Sequence, residues 1–161
     1  DIVKSGCHGP VTSFEGEFNI SLPFQDGQLR YDRSLGGGGL MDLGCYPLHA
    51  FRSLIGEPEI IDVQADIQHG VDVSLSAELR SGGAGGHISC TMALGAHEKA
   101  VSRFRVSFDS GHLEITGFVA PHLGYEINYV IDGEGRNFEC ENPITYDRQL
   151  DHFMDVVNGL R

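Results

Sequence analysis

Between Gly36 and His49 the chain reads GGGGLMDLGCYPLH, the one dense cluster of special residues in the sequence. Glycines ahead of a helical pattern let the backbone approach another group closely, and the amides at a helix start favour anions. The run matches neither GxGxxG after a strand nor GxxxxGK[ST], so a phosphate cradle has little support. Asp42 and Tyr46 stand four residues apart and His49 follows three later, which on a helix puts all three on one stripe. A carboxylate beside a phenol can orient it or accept its proton. A tyrosine with an ordinary pKa of about 10 needs a nearby cation to act as acid or base near neutrality. The same spacing equally allows Asp42 as a helix cap and Tyr46 as a half-buried core aromatic.

The remaining candidates are sparser. Arg30 and Arg33 precede the glycines in a loop and suit a clamp on a substrate oxygen, although a solvated loop arginine is the commoner case. His122, in Phe118-Val-Ala-Pro-His122, is either a turn residue or a pocket group. Cys45 and His49 share a spacing that suits a metal or a Cys–His pair, but two ligands alone do not make a site. The 8 histidines show no HxH or HxxxH pattern. Lysine is nearly absent, with only Lys4 and Lys99 in the whole chain. A lysine-dependent step must therefore use one of these two or a lysine from elsewhere.

The elements that must position this cluster follow from periodicity. Val11 to Ile20 alternates, with Phe14, Gly16, Phe18 and Ile20 on one side and Glu15, Glu17 and Asn19 on the other, as a strand with one wet face does. Leu22 to Leu35 has no period and is long for a mere connection, which suits a functional loop. Leu40 to Ile55 is a helical pattern closed by Gly56 and Pro58; Pro47 predicts either a kink or a helix that begins properly only there. Further strands follow at Ile61–Ile67, Val71–Leu79, Ile88–Leu94, Phe104–Phe108, Leu113–Ile115 and Ile127–Ile131, the last pairing with Phe138 and Cys140. Ser81 to Gly86 and Asp132 to Gly135 are the hairpin connections. A helix from about Thr145 carries Tyr146, Leu150, Phe153, Met154 and Val157 on one apolar face. Strands in a block flanked by helices predict an α+β fold: an open, mostly antiparallel sheet with helices on its apolar face.

Composition bounds the rest. The 161 residues suffice for one domain with its own core. With 23 acidic and 11 basic residues the formal net charge is −12, which repels nucleic-acid phosphates and anionic lipid surfaces. No apolar run reaches the roughly 18 residues of a membrane helix. Cys7, Cys45, Cys90 and Cys140 form no CxxC pair and read as reduced, buried thiols of a cytoplasmic protein, with cross-chain disulfides left open. Asp1 to Gly6 reads as the last turn of a helix, as in a domain cut from a larger enzyme.

The run from Gly36 to His49 resembles the GGGxLxDxGx[HY] signature of the C-terminal domain of the Gfo/Idh/MocA oxidoreductases. The stretches Gly6–Phe14, Ser110–Pro121 and Tyr146–Phe153 are similar to that domain as well, so the resemblance covers nearly the whole chain. Tyr46 rather than His, with Phe118-Val-Ala-Pro121, is most similar to the dihydrodiol, xylose and glucose–fructose branch. The resemblance implies a C-terminal domain like that of glyceraldehyde-3-phosphate dehydrogenase, here 1–161, whose open sheet face packs in a homodimer. It implies a separate N-terminal Rossmann domain that binds NAD or NADP and carries the catalytic lysine in an EKP motif absent from this chain. Tyr46 and Asp42 match the acid/base pair, and Gly37, Gly38, Gly39 and Gly44 match the motif glycines. Arg30, Arg33, His49 and His122 are the expected contacts to a small polyhydroxylated substrate, a sugar, polyol or diol. The alternative is a non-catalytic binding or scaffold domain of the same fold.

Overall fold

The computed structural model describes residues 2–95, 98–138 and 145–160. A short helix α1 (Ile2–Ser5) leads into β1 (Val11–Asn19), and a long excursion containing 3-10 turns at Leu29–Tyr31 and Arg33–Leu35 follows. Next come a π-helical turn, Leu40–Gly44, and helix α2 (Cys45–Leu54). Seven strands then run in a block: β2 (Glu59–Gln68), β3 (Val71–Ser81), β4 (Ala84–Thr91), β5 (Val101–Phe108), β6 (Gly111–Thr116), β7 (Glu126–Ile131) and β8 (Glu134–Phe138). Helix α3 (Thr145–Val157) follows.

The strands form one eight-stranded sheet in the order β2-β3-β4-β1-β5-β6-β7-β8. Only the central β1–β4 pairing is parallel; every other neighbour is antiparallel. The predicted open, mostly antiparallel sheet is therefore the observed one. Alternation explains its two faces. Phe14, Val73, Ala77, Leu79, Ile88, Phe104, Val106 and Phe108 are buried on one face, under α2. The other face stays polar and carries ion pairs between neighbouring strands, Arg103 to Glu17 at 2.5 Å and Arg105 to Glu114 at 2.8 Å.

A buried aromatic anchors helix α2 to the sheet. Phe51 is fully buried, edge-on to Phe14 with ring centroids 5.4 Å apart, and Phe14 stacks on Phe104 at 5.8 Å. Beneath the ring lies Gly86 of β4, where any Cβ would collide with Phe51. One aromatic side chain thus fills the space that a glycine leaves open.

Several expectations are corrected. The hairpin turns are tighter than Ser81–Gly86 and Asp132–Gly135 suggested: Ala84, Gly85 and Gly86 already pair in β4, and β8 begins at Glu134, so two residues make each turn. Edge strand β2 is exposed along its whole length, Ile60, Val63 and Ile67 included, because it has a neighbour on one side only and two register shifts. The apolar stripe of α3 is likewise exposed at Tyr146, Leu150, Phe153 and Val157, so α3 does not use the sheet face predicted for it. Of the cysteines, Cys90 alone is buried among the described residues; Cys7 and Cys45 are exposed free thiols, and Cys140 lies outside the described residues. No described helix is long and apolar enough to cross a membrane.

Candidate active site

The glycine run and its neighbours form a single clipped unit. The Arg30 carbonyl accepts the Gly38 N–H at 2.9 Å, and the Asp32 carbonyl accepts the Gly37 N–H at 2.9 Å. Asp32 also caps the second 3-10 turn by accepting from the Ser34 amide and hydroxyl, which holds its carboxyl below the usual aspartate value. Gly37 lies so close to the excursion loop that a Cβ would stand 2.6 Å from the Arg30 carbonyl oxygen. Gly38 has φ +132°, and a Cβ there would strike the carboxylate of Asp72 on β3. Gly39 is buried beside the Asp72 and Val73 carbonyls, and Gly44 packs on the Cys90 sulfur. The motif glycines are therefore filled by the protein itself.

The turn that follows is not a plain α-helix. Leu40–Gly44 is π-helical, the Cys45 N–H reaching five residues back to the Leu40 carbonyl, and α geometry starts at Cys45. Pro47 does not begin α2. It sits buried two residues inside it, directly after the π turn, where it has no N–H to donate to a carbonyl of that turn. Single π turns occur frequently at functional sites, and this one carries Asp42 and hands the chain to Tyr46.

Asp42 accepts from Arg30 Nε at 2.7 Å. Arg30, expected as a clamp on substrate, is thus engaged with the carboxylate of the motif. The pair is partly exposed, 41% for Arg30 and 27% for Asp42, so its net contribution is small. Arg30→Ala is expected to lower stability by less than about 1 kcal/mol, the usual range for exposed pairs; a urea midpoint shift well beyond that in the variant would contradict it.

Tyr46 projects from the first turn of α2, its ring edge-on to Phe18 of β1 at 5.5 Å and 43% exposed. Partial burial pushes its phenol above the ordinary value, and negative charge on Cys45, Tyr146 and Asp42 acts in the same direction. Tyr146, which periodicity assigned to the apolar face of α3, is therefore an electrostatic neighbour of this site. Burial first, then Asp42, pushes the Cys45 thiol up as well, and burial takes Cys90 to about 11, which leaves it an inert thiol.

The other expected site residues are dispersed. His49 lies on the exposed side of α2 with Nε2 3.3 Å from Ser53 Oγ, one turn beyond Tyr46. Arg33 is exposed and lines a separate hollow of about 440 Å³ with Phe24, Asp26, Tyr31 and His69. His122 is exposed in the 3-10 turn Pro121–Leu123. Among the described residues no hydrogen bond, ion pair or ring contact joins His122 to the Asp42–Tyr46 turn. No group of three or more His, Cys, Asp or Glu side chains arranged for a metal occurs among the described residues.

Residues 1–114 match the family model described as the GFO/IDH/MocA C-terminal domain, and the chain belongs to that family. A D-xylose 1-dehydrogenase (NADP(+)) of Haloferax volcanii is 28% identical over 154 residues, 92% of this chain and 46% of that enzyme. A dTDP-3,4-didehydro-2,6-dideoxy-alpha-D-glucose 3-reductase of Streptomyces violaceoruber is 29% identical over 128 residues, 78% of this chain and 36% of that enzyme. The fold is similar to that of an aldose–aldose oxidoreductase from Caulobacter crescentus solved with glycerol, at TM-score 0.83 and 25% identity over 98% of this chain and 49% of that one. It is similar at TM-score 0.83 to a 3-ketoreductase from Actinomadura kijaniata solved with NADP, at 22% identity over 99% of this chain and 50% of that one. The chain spans half or less of the length of these relatives.

Proposed function

We propose that this chain is the substrate-binding half of an NAD(P)-dependent oxidoreductase that transfers hydride between a nicotinamide and a hydroxyl or carbonyl of a sugar, polyol or diol. The observation that carries the reading is Tyr46, an accessible phenol at the junction of the π turn and α2, with Asp42 in the turn before it. The relatives, a xylose dehydrogenase and ketosugar reductases, supply the substrate class.

The described residues at the glycine run do not build a dinucleotide cradle. The Leu40 amide at the helix start is occupied by the Asp72 carboxylate, whose negative charge opposes a pyrophosphate. The nicotinamide would be held by a Rossmann domain outside this chain, and bound there it would supply or accept the hydride. The work of this chain is then positional and protic. Tyr46 hydrogen-bonds the reacting substrate oxygen and gives up its proton as a carbonyl becomes a hydroxyl, or takes one in the reverse direction. Asp42, held by Arg30, places negative charge near the phenol and favours its protonated form. Arg33, His49 and His122 are the candidates for contacts to the remaining hydroxyls, each from a separate place on this chain.

The polar sheet face completes the reading. Glu15, Glu17, His87, Arg103, Arg105 and Glu114 line a shallow hollow of about 290 Å³ there, and mixed charge of this kind suits a second copy of the same surface in a homodimer. The exposed thiols of Cys7 and Cys45 are in keeping with a reducing, cytoplasmic setting.

The test is an assay of two proteins side by side, followed by nicotinamide absorbance. The complete protein is expected to oxidise or reduce members of an aldose, polyol and diol panel with NAD or NADP, while the 161-residue chain alone turns over none. Turnover by the isolated chain would overturn the two-part site.

A further inference from the structure

We infer that Asp72 is a positioning residue for the reaction: it caps the π turn from a different element and thereby fixes where Tyr46 stands. The inference rests on the functional reading above. A helix start leaves its first N–H groups unsatisfied, and a side chain at the preceding position ordinarily accepts one of them. Here the preceding position is Gly39, which has no side chain and makes no such bond. The missing acceptor arrives from strand β3. Asp72 Oδ2 accepts the Leu40 N–H at 2.6 Å, across 32 positions of sequence.

The same carboxylate accounts for the glycines. Its Oδ1 occupies the space that a Cβ on Gly38 would need, and its backbone carbonyl lies 3.2 Å from where a Cβ on Gly39 would stand. The glycine run is thus the mould into which Asp72 fits. Its negative charge also faces the positive end of the turn. From the other side Arg30 holds the unit through its carbonyl to the Gly38 N–H and its guanidinium to Asp42. Arg30 holds the third residue of the π turn, and Asp72 holds the first. Strand β3 is anchored in the core by Val71 and Val73, both buried, so the cap references the turn to the sheet. Without it the turn that aims Tyr46 loses its side-chain hydrogen bond to the sheet.

The experiment compares Asp72→Ala and Asp72→Asn in the complete protein, reading turnover, nicotinamide affinity and the exchange rate of the Leu40 amide. Asp72→Ala is expected to lower kcat at least about tenfold, toward the roughly 10²-fold that a 1 Å misplacement costs, with nicotinamide affinity unchanged and Leu40 exchange accelerated. Asp72→Asn keeps an oxygen that can accept the same N–H, so it should recover most of kcat and of the protection at Leu40. A merely structural role would lower thermal stability without this split. Should Asp72→Ala not fold, Asp72→Ser, whose hydroxyl falls short of Leu40, takes its place. A kcat within about twofold of wild type, or unchanged exchange at Leu40, overturns the proposal. If the unaltered protein turns over no sugar or diol, the functional reading fails instead. Leu40 exchange and the Tyr46 ring resonances of the variants then decide whether Asp72 positions the turn.

Discussion

Tyr46→Phe in the complete protein is expected to lower kcat by about 10²–10⁴-fold, the contribution typical of a positioned acid or base, with substrate and nicotinamide affinity little changed. The substitution removes one oxygen and leaves the ring against Phe18, so the fold has no reason to respond. The direction of the pH dependence follows from the surroundings of the phenol. Burial and then the negative neighbours Cys45, Tyr146 and Asp42 favour its protonated form. In this chain it is therefore protonated at neutral pH, the form that carbonyl reduction needs on the proposed reading. In the oxidative direction it must accept a proton, which requires the phenolate and hence a cation close by. Neither Lys4 nor Lys99 belongs to the motif and Arg30 is engaged with Asp42; on the proposed reading the cation belongs to the Rossmann domain. Turnover in the oxidative direction should rise with pH until the Tyr46 phenol titrates, and this limb should vanish in Tyr46→Phe. The difference in phenolate absorbance between wild type and Tyr46→Phe should place that titration above 10 in the isolated chain and lower in the complete protein. A profile unchanged by the substitution would remove Tyr46 from the proton path.

The largest stability effect belongs to Phe51→Ala, expected to cost about 3–5 kcal/mol because a fully buried aromatic is replaced by a cavity. Marginal stabilities of about 5–15 kcal/mol make that a large fraction of the whole. The loss falls on the contact that holds α2, and with it Tyr46, to the sheet. The same contact can be attacked from below. Gly86→Ala puts a methyl group against the Phe51 ring, and overpacking of this sort costs about 1–3 kcal/mol. Urea unfolding followed by circular dichroism reads both. An unchanged midpoint for Phe51→Ala would mean that α2 is held by something other than this anchor.

Period two made the strands legible: Phe14 and Gly16, or Val71 and Val73, alternate with polar residues and form the buried face, while the same alternation in β2 runs along an exposed edge. The wet face was legible for the same reason. Asp72 was not. Its alternation with Val71 and Val73 assigns it to the solvated residues, and its partner, the Leu40 amide, carries no side-chain signature. The π turn was hidden too, because it changes which carbonyl a backbone N–H reaches and not which residue types are used. Pro47 advertised a disturbance without its kind: the irregular turn lies just ahead of it. Arg30 was legible as a charged residue near the motif, but its partner was not: whether it meets a substrate or Asp42 depends on how the loop folds back, through backbone bonds, the Asp32 cap and the Tyr31 hydroxyl on the Leu22 carbonyl. The apolar pattern of α3 correctly signalled a helix, yet amphipathicity names a face without naming what covers it. The glycines were legible as a need for close approach, and the structure supplies the groups that approach: Asp72, the Arg30 carbonyl and the Cys90 sulfur.

The central claim is that Tyr46 serves hydride transfer to or from a sugar-like substrate. The most direct test is a single-turnover reaction of the complete protein with reduced nicotinamide deuterated at its transferring carbon, offered to aldose and ketosugar acceptors. Deuterium is expected to appear on the carbon of the new hydroxyl, at a rate that falls at least about tenfold in Tyr46→Phe while the affinity for the acceptor holds. Deuterium transfer at an equal rate in Tyr46→Phe, or none into any acceptor by a protein that binds the nicotinamide, would contradict the account.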